Sequence, residues 1–186
     1  MNLTLFRAIN GGPRFLEPTM TFFSGAMNIG WVKIVLGLLL LGLLFANPLT
    51  RRTAVQALIA FPIANEFTEL FKNLLPRNRP YQDLNDVIVL MGRANSHGTA
   101  SAHAANMVAV AFVFVYYLRW WGSPWVIVAL ITSYSRVYVG AHYPYQVFLG
   151  WCCGLLAGFG VTYGWKYILS KRKTVIVSEP VDESQQ

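Results

Sequence analysis

From Trp31 to Pro48 the chain runs through leucine, glycine and alanine with a single charge, Lys33. Three further stretches share that character. Ser101 to Leu118 carries no Asp, Glu, Lys or Arg, Trp125 to Val139 carries only Arg136, and Val147 to Leu169 carries only Lys166. A helix crosses the hydrocarbon of a bilayer with about 20 mostly apolar residues, and these runs approach or reach that length. Charged residues make up 12% of the 186 and hydrophobic ones 55%, a balance that does not suit a soluble domain of this size. Ala54 to Leu75 adds a fifth candidate, with Glu66, Glu69 and Lys72 gathered in its last turns. The expected fold is therefore all-α, an integral membrane helical bundle of about five transmembrane helices. Arg14 to Ile29 mixes Glu17, Pro18 and threonines with aromatics, so it reads as a short interfacial or half-inserted helix. A sixth span there stays open.

This divides the chain into an N-terminal segment (1–30), a transmembrane bundle (31–169) and a polar cytoplasmic tail (170–186) expected to be disordered. No cleavable signal peptide is expected, because Met1 to Gly12 has a Gly-Gly break and no long apolar core. Cys152 and Cys153 are adjacent inside an apolar run and read as small helix residues, not as a disulfide framework.

Basic residues orient the bundle. Arg51 and Arg52 fall between spans one and two, Arg119 between three and four, and Lys171 to Lys173 after span five. Span parity puts all three places on one side, which the positive-inside bias makes cytoplasmic. The other side holds Lys72, Arg77, Arg79, Arg93 and Arg136, together with His97, His103 and His142. Those cations run against the bias, so they call for another role. No nucleic-acid partner is expected.

Three stretches meet on that non-cytoplasmic side: Lys72 to Pro80, Ser96 to His103, and Ser135 to Pro144. They supply what phosphoryl transfer needs. Lys72, Arg79 and Arg136 can neutralise phosphate oxygens, arginine with a bidentate fork. Ser101 opens a helix whose first free N–H groups make an anion site. His142 can serve as nucleophile and His103 as acid/base. His97 sits in a loop and reads as an ordinary polar residue. Arg77 and Arg93 divide evenly between a functional role and snorkelling to headgroups. Tyr134, Tyr138, Tyr143 and Tyr145 read as interfacial aromatics.

These blocks resemble the type 2 phosphatidic acid phosphatases, a membrane superfamily related to vanadium haloperoxidases. The family pattern is K-x6-R-P, then P-S-G-H, then S-R-x5-H-x3-D. The first block matches at Lys72, Arg79 and Pro80. The second reads Ala100-Ser101-Ala102-His103, with Ala in place of Pro and Gly. The third matches at Ser135, Arg136 and His142, but its final Asp is Gln146. The resemblance covers Ala54 to Gly158. It implies metal-independent, cofactor-free catalysis in which His142 attacks phosphorus and forms a phosphohistidine. His103 would protonate the leaving group and then activate water. Lys72, Arg79, Arg136, Ser101 and the amide of Ala102 would hold the phosphate.

Gln146 can accept a hydrogen bond from His142 but brings no charge. Two expectations follow: a slower enzyme, or a carboxylate that compensates. Glu66 and Glu69 are the candidates for compensation, one of them approaching His142 or a phosphate-binding cation, although plain helix pairing with Lys72 or Asn73 is the favoured reading of both. Restoring the charge with Gln146→Asp would raise the rate if that charge is limiting. The function expected is hydrolysis of a lipid phosphate or diphosphate in the inner membrane. The partners would be that substrate and the surrounding membrane lipids. A lipid-to-lipid phosphotransferase and a catalytically silent lipid-binding member remain as alternatives.

Overall fold

The structure is a computed structural model that describes residues 3–178. All its regular elements are helical, with no strand among the described residues. They are α1 (Leu3–Asn10), α2 (Glu17–Gly25), α3 (Gly30–Ala46), α4 (Pro48–Leu74), α5 (Pro80–Asp83), α6 (Ala102–Leu118), α7 (Ser123–Tyr138) and α8 (Pro144–Ser178). The five long helices α3, α4, α6, α7 and α8 lie where five spans were expected. Two helical runs, Ala102–Tyr138 and Pro144–Lys171, are long and apolar enough to cross a membrane. The pair Arg14–Asn28 and Gly30–Ala46, bent by 68°, makes a third if counted as one span. The run Ala102–Tyr138 folds back on itself at Arg119–Gly122. Ala104 at the start of α6 accordingly shares an apolar cluster with Val137 at the end of α7.

Local chemistry sets the helix ends. Asn47 starts α4, its side-chain oxygen accepting from the N–H groups of Leu49 and Thr50 at 3.0 Å, with Pro48 in the first helical position. Proline also opens α5 and α8, where a missing N–H costs nothing.

Helices in lipid gain little from hiding leucine, so they associate where small side chains let backbones approach. Ala54, Ala57, Ala60 and Ala64 of α4 are buried, as are Ala104, Ala105 and Ala109 of α6. Gly150, Gly154 and Gly158 line α8 at four-residue spacing against α6. A Cβ at Gly154 would sit 2.3 Å from the Ala105 carbonyl oxygen, and one at Gly150 would sit 2.6 Å from that of Ser101. The large apolar side chains, Leu38, Phe45, Phe148 and Leu156 among them, point outward. This arrangement fixes the start of α6 against the start of α8, where the three motif stretches meet.

The N-terminal segment contributes more than an interfacial helix. α1, which the sequence reading did not anticipate, inserts Phe6 and Asn10 into the protein. Asn10 bonds the carbonyls of Ile88 and Tyr138 and accepts from the Ile88 N–H. α2 packs on α7. At the other end, α8 continues past Ser170 into the segment expected as a polar tail; the remainder of that tail lies outside the described residues.

Candidate active site

Lys72 ends α4, Ser101 and His103 start α6, Arg136 ends α7, and His142 sits in the turn before α8. The loop between α4 and α6 folds over them. Thr99 clamps its two ends together by donating to the Leu75 carbonyl at 2.6 Å and accepting from the Arg77 N–H at 3.1 Å. The clamp delivers Arg79 into the interior, where it is 4% exposed. Its Nε donates to the Ser96 carbonyl at 2.9 Å and its Nη2 to the Ser96 hydroxyl at 3.1 Å. Its Nη1 reaches the Ala141 carbonyl at 3.2 Å and His142 Nε2 at 3.0 Å. Gly98 is required here, since a Cβ would lie 2.8 Å from Cγ of Arg79.

The His142 ring is held from both sides. Its Nδ1 faces two oxygens, the Gly98 carbonyl and Gln146 Oε1, each at 3.2 Å. Its Nε2 faces a guanidinium N–H. Two acceptors on one nitrogen and an obligate donor on the other select a single neutral form, with the proton on Nδ1 and the lone pair on Nε2. Burial, followed by the charges of Arg136 and Arg79, holds this imidazole well below the usual histidine range, against the upward pull of its bonds to Gly98 and Gln146. Burial also lowers Arg79 from its ordinary value, with Tyr81 and Glu69 opposing.

Gln146 is fully buried and uses both ends of its amide. Oε1 accepts from His142 and from the Tyr143 N–H at 3.1 Å, while Nε2 donates to the Asn78 carbonyl at 2.8 Å and the Tyr145 hydroxyl at 3.1 Å. Arg136 is buried and anchored through Nη1 to the carbonyl and hydroxyl of Ser24 on α2, and its Nε has no partner. Lys72 is 5% exposed and pairs with Glu69 at 2.7 Å. Ser101 is completely buried, and its hydroxyl bonds to nothing. Buried polar atoms without partners are rare in proteins, and here they lie among cations at a helix N-terminus whose first N–H, that of Ala102, is also free of an intrahelical acceptor. His103 lies on the first turn of α6 within electrostatic range of Arg136, Lys72 and Arg79.

The structure thus brings Lys72, Arg79, Ser101, Ala102, His103, Arg136, His142 and Gln146 to one end of the bundle. Glu69 meets one of the site's cations, Lys72, through a contact that fits both the compensation expectation and the plain i,i+3 helix pair. It does not act on His142, and Glu66 pairs with none of the site's cations. Arg77 and His97 are exposed, with only the His97 carbonyl touching the site, and Arg93 stacks over the Tyr81 ring at 5.7 Å. Two of the four tyrosines differ from expectation. Tyr138 and Tyr143 are buried and hydrogen-bonded to the Pro13 carbonyl and to Asp83, so they are core residues and not an aromatic belt. Ser24 escaped the sequence reading, and Ser96, Gly98 and Thr99, inside the Ser96 to His103 stretch, were given no role there. Only the last three had a signal available, their place in a polar run beside His97.

Residues 53–169 match the PAP2 superfamily, and the chain belongs to it. It is 29% identical to an undecaprenyl-diphosphatase of Sulfolobus acidocaldarius, over 85% of this chain and 75% of that one. It is 27% identical to a lipid A 4'-phosphatase of Bacteroides thetaiotaomicron, over 86% of this chain and 71% of the other. The crystal structure of Aquifex aeolicus LpxE superposes with a TM-score of 0.74 at 25% identity, covering 87% of this chain and 94% of that one. The protein is an integral membrane member of a family of lipid phosphatases.

Proposed function

We propose that the chain hydrolyses a lipid phosphate or diphosphate through a covalent phosphohistidine on His142. The observation that carries this reading is the His142 ring itself. A buried imidazole has its proton held on Nδ1 by two acceptors, and its Nε2 lone pair lies 3.0 Å from a guanidinium group suited to binding phosphate. An arriving phosphate competes for the Arg79 donors and so uncovers that lone pair. Nε2 then attacks phosphorus, and the bond to the leaving oxygen breaks as His103 hands it a proton. In the second half His103 takes a proton from water, the water oxygen attacks phosphorus, and the P–N bond breaks to release phosphate. Lys72, Arg79, Arg136, the Ser101 hydroxyl and the Ala102 N–H surround the phosphate oxygens and stabilise charge as it builds on them.

Anions near Lys72, Arg79 and Arg136 favour a protonated His103, so substrate binding itself prepares the acid. A diphosphate on a long apolar tail, the class named for the Sulfolobus relative, heads the list of substrates, with phosphorylated glycolipids and phosphatidate-type lipids next. The positive-inside bias supports a plasma-membrane location with the site on the non-cytoplasmic face.

The test is phosphate release by the purified protein in detergent across a panel of lipid mono- and diphosphates, one lipid at a time. Phosphate release from at least one lipid, abolished in His142→Ala, is the expected result. Turnover only when a second lipid is supplied as acceptor would replace hydrolysis with phosphotransfer. Phosphate binding without turnover on any lipid would replace it with a silent binding role.

A further inference from the structure

Asp83, at the end of the one-turn helix α5, lies outside every motif block, yet it closes a ring of hydrogen bonds behind the His142–Gln146 pair. Its Oδ1 accepts from Asn78 Nδ2 at 2.9 Å, and its Oδ2 accepts from the Tyr143 hydroxyl at 3.2 Å. Asn78 and Tyr143 are the two residues whose backbone groups read the Gln146 amide. The Asn78 carbonyl accepts only from the NH2 end and the Tyr143 N–H donates only to the oxygen end. Asp83 therefore joins the two halves of the frame that decides which end of the amide faces His142.

The frame is otherwise well seated on the Tyr143 side. Tyr143 is 1% exposed, edge-on to Phe6 at 5.2 Å and stacked on Tyr145 at 5.8 Å. Burial and the neighbouring Asp83 push its phenol up to about 12, so it remains a donor at neutral pH. The Asn78 side is not buried, and α5 is a single turn, so the bond to Asp83 is the side-chain tether that Asn78 has.

The orientation matters because an amide turned end for end would set NH2 against the Tyr143 N–H and against Nδ1–H, and oxygen against the Asn78 carbonyl. Donor would face donor and acceptor would face acceptor. The imidazole relieves the first clash by moving its proton to Nε2, which removes the attacking lone pair. The Gly98 carbonyl at Nδ1 and the Arg79 N–H at Nε2 oppose that shift, but one of the two acceptors that now hold the proton is lost.

We propose that Asp83 is a positioning residue for the nucleophile. By tying Asn78 to Tyr143 it keeps the Gln146 oxygen toward Nδ1 and leaves Nε2 as the unprotonated nitrogen. The proposal rests on the reading of His142 as the attacking group. Because it concerns a proton's position, it can be tested apart from that reading.

The experiment compares wild type with Asp83→Ala, Asp83→Asn, Tyr143→Phe and, as a control, Asp86→Ala, the neighbouring acid that pairs with Arg7 on the surface at 3.0 Å. Asp83→Ala should lower kcat about tenfold with KM changed less than about twofold, the scale of one lost hydrogen bond acting on the reacting group. Asp83→Asn should recover most of that loss, since its oxygen still accepts from Asn78 and its NH2 can donate to the Tyr143 oxygen. Asp86→Ala should match wild type.

Nitrogen NMR of 15N-histidine-labelled protein in detergent reads the tautomer directly, with His142 assigned from its absence in His142→Ala. Wild type should show a protonated Nδ1 and a bare Nε2, and Asp83→Ala should show a growing share of protonated Nε2. If wild type hydrolyses nothing, the reading of His142 as nucleophile fails, and the spectra still decide the role of Asp83. A His142 spectrum in Asp83→Ala identical to wild type overturns the proposal, as does an unchanged kcat. If Asp83→Ala does not fold, Tyr143→Phe cuts the same link without touching α5 and must show the same tautomer shift.

Discussion

Gln146→Glu changes a nitrogen for an oxygen at constant length and adds one charge to a fully buried position. Its Oε1 can stay 3.2 Å from His142 Nδ1 and 3.1 Å from the Tyr143 N–H. At that distance a carboxylate attracts an imidazolium by about 5 kcal/mol with an effective dielectric of 20. Burial of the new charge takes back several kcal/mol. On the other end, the donations to the Asn78 carbonyl and the Tyr145 hydroxyl disappear, at about 1 kcal/mol each, and the Tyr145 hydroxyl can turn to recover one. A net preference of about 1.4–2.8 kcal/mol for the charged ring remains, which is about one to two pH units. The wild-type ring stays neutral well below the usual histidine range, so the acid limb of kcat/KM should move up by that amount in Gln146→Glu. Folding stability should fall by about 1–3 kcal/mol from the carboxylate oxygen facing the Asn78 carbonyl. The assay is phosphate release from pH 4.5 to 8.5 in detergent alongside thermal melts, both ranges set by choice of buffer. An acid limb that does not move while the variant is folded would show that residue 146 is not coupled to His142. Gln146→Asp is a harsher change. One methylene shorter, it cannot span Nδ1 and the Tyr143 N–H together or donate to Asn78, so the rate should fall about tenfold instead of rising.

Five further outcomes are expected. His142→Ala should abolish turnover, and His103→Ala should slow hydrolysis most for the most basic leaving groups, read from kcat across a series of phosphate esters. Arg79→Lys replaces five bonded contacts with one ammonium, and kcat/KM should drop by about 10² or more, the scale of losing a preorganised oxyanion donor. Gly154→Ala drives a methyl into the Ala105 carbonyl and should destabilise the α6–α8 contact by about 1–3 kcal/mol, seen as a lower melting temperature. Stability should also depend on pH. The folded His142 pKa is depressed, so its contribution is complete above the ordinary value of 6.5 and is lost as pH falls through it, with a slope up to about 1.4 kcal/mol per pH unit that His142→Ala should flatten.

Span positions were legible because apolar runs are long and charges within them few. The site was legible because cations and histidines gathered at the span ends opposite those that carry Arg51, Arg52 and Arg119. What periodicity could not show was which face of each helix turns inward. In lipid the outward face is as apolar as the inward one, so leucine marks the outside as readily as the core, and the informative residues are Gly150, Gly154, Gly158 and the α4 alanines. The four-residue spacing of the glycines and the three- and four-residue spacing of the alanines were present in the sequence as a signal for close approach. Asn10 and Ser24 carried no such signal. Each is a lone polar residue in an N-terminal segment that reads as peripheral, and only the folded chain reveals that one holds the ends of α7 and the loop together while the other holds Arg136.

The departure at position 146 shows why a motif mismatch need not mean lost function. In the sequence, Gln for Asp reads as a missing charge that leaves the enzyme slower or that another carboxylate replaces. In the structure the amide accepts from Nδ1 as a carboxylate would, and its NH2 makes two bonds that no carboxylate could make. Burial, then the charges of Arg136 and Arg79, lower the proton affinity of His142, and the neutral Gln146 oxygen opposes this without the charge a carboxylate would bring. A ring so placed keeps its lone pair available at all ordinary pH, which favours attack. On the proposed phosphohistidine route it would also give less support to the positive charge the ring acquires once phosphorus is bound, making that intermediate more reactive toward water. On that route a neutral acceptor keeps the nucleophile unprotonated over a wider pH range, gives the charge that builds during attack less support than a carboxylate would, and speeds hydrolysis of the intermediate. If His142 is the nucleophile, rapid-quench kinetics should show Gln146→Glu accumulating more covalent intermediate than wild type.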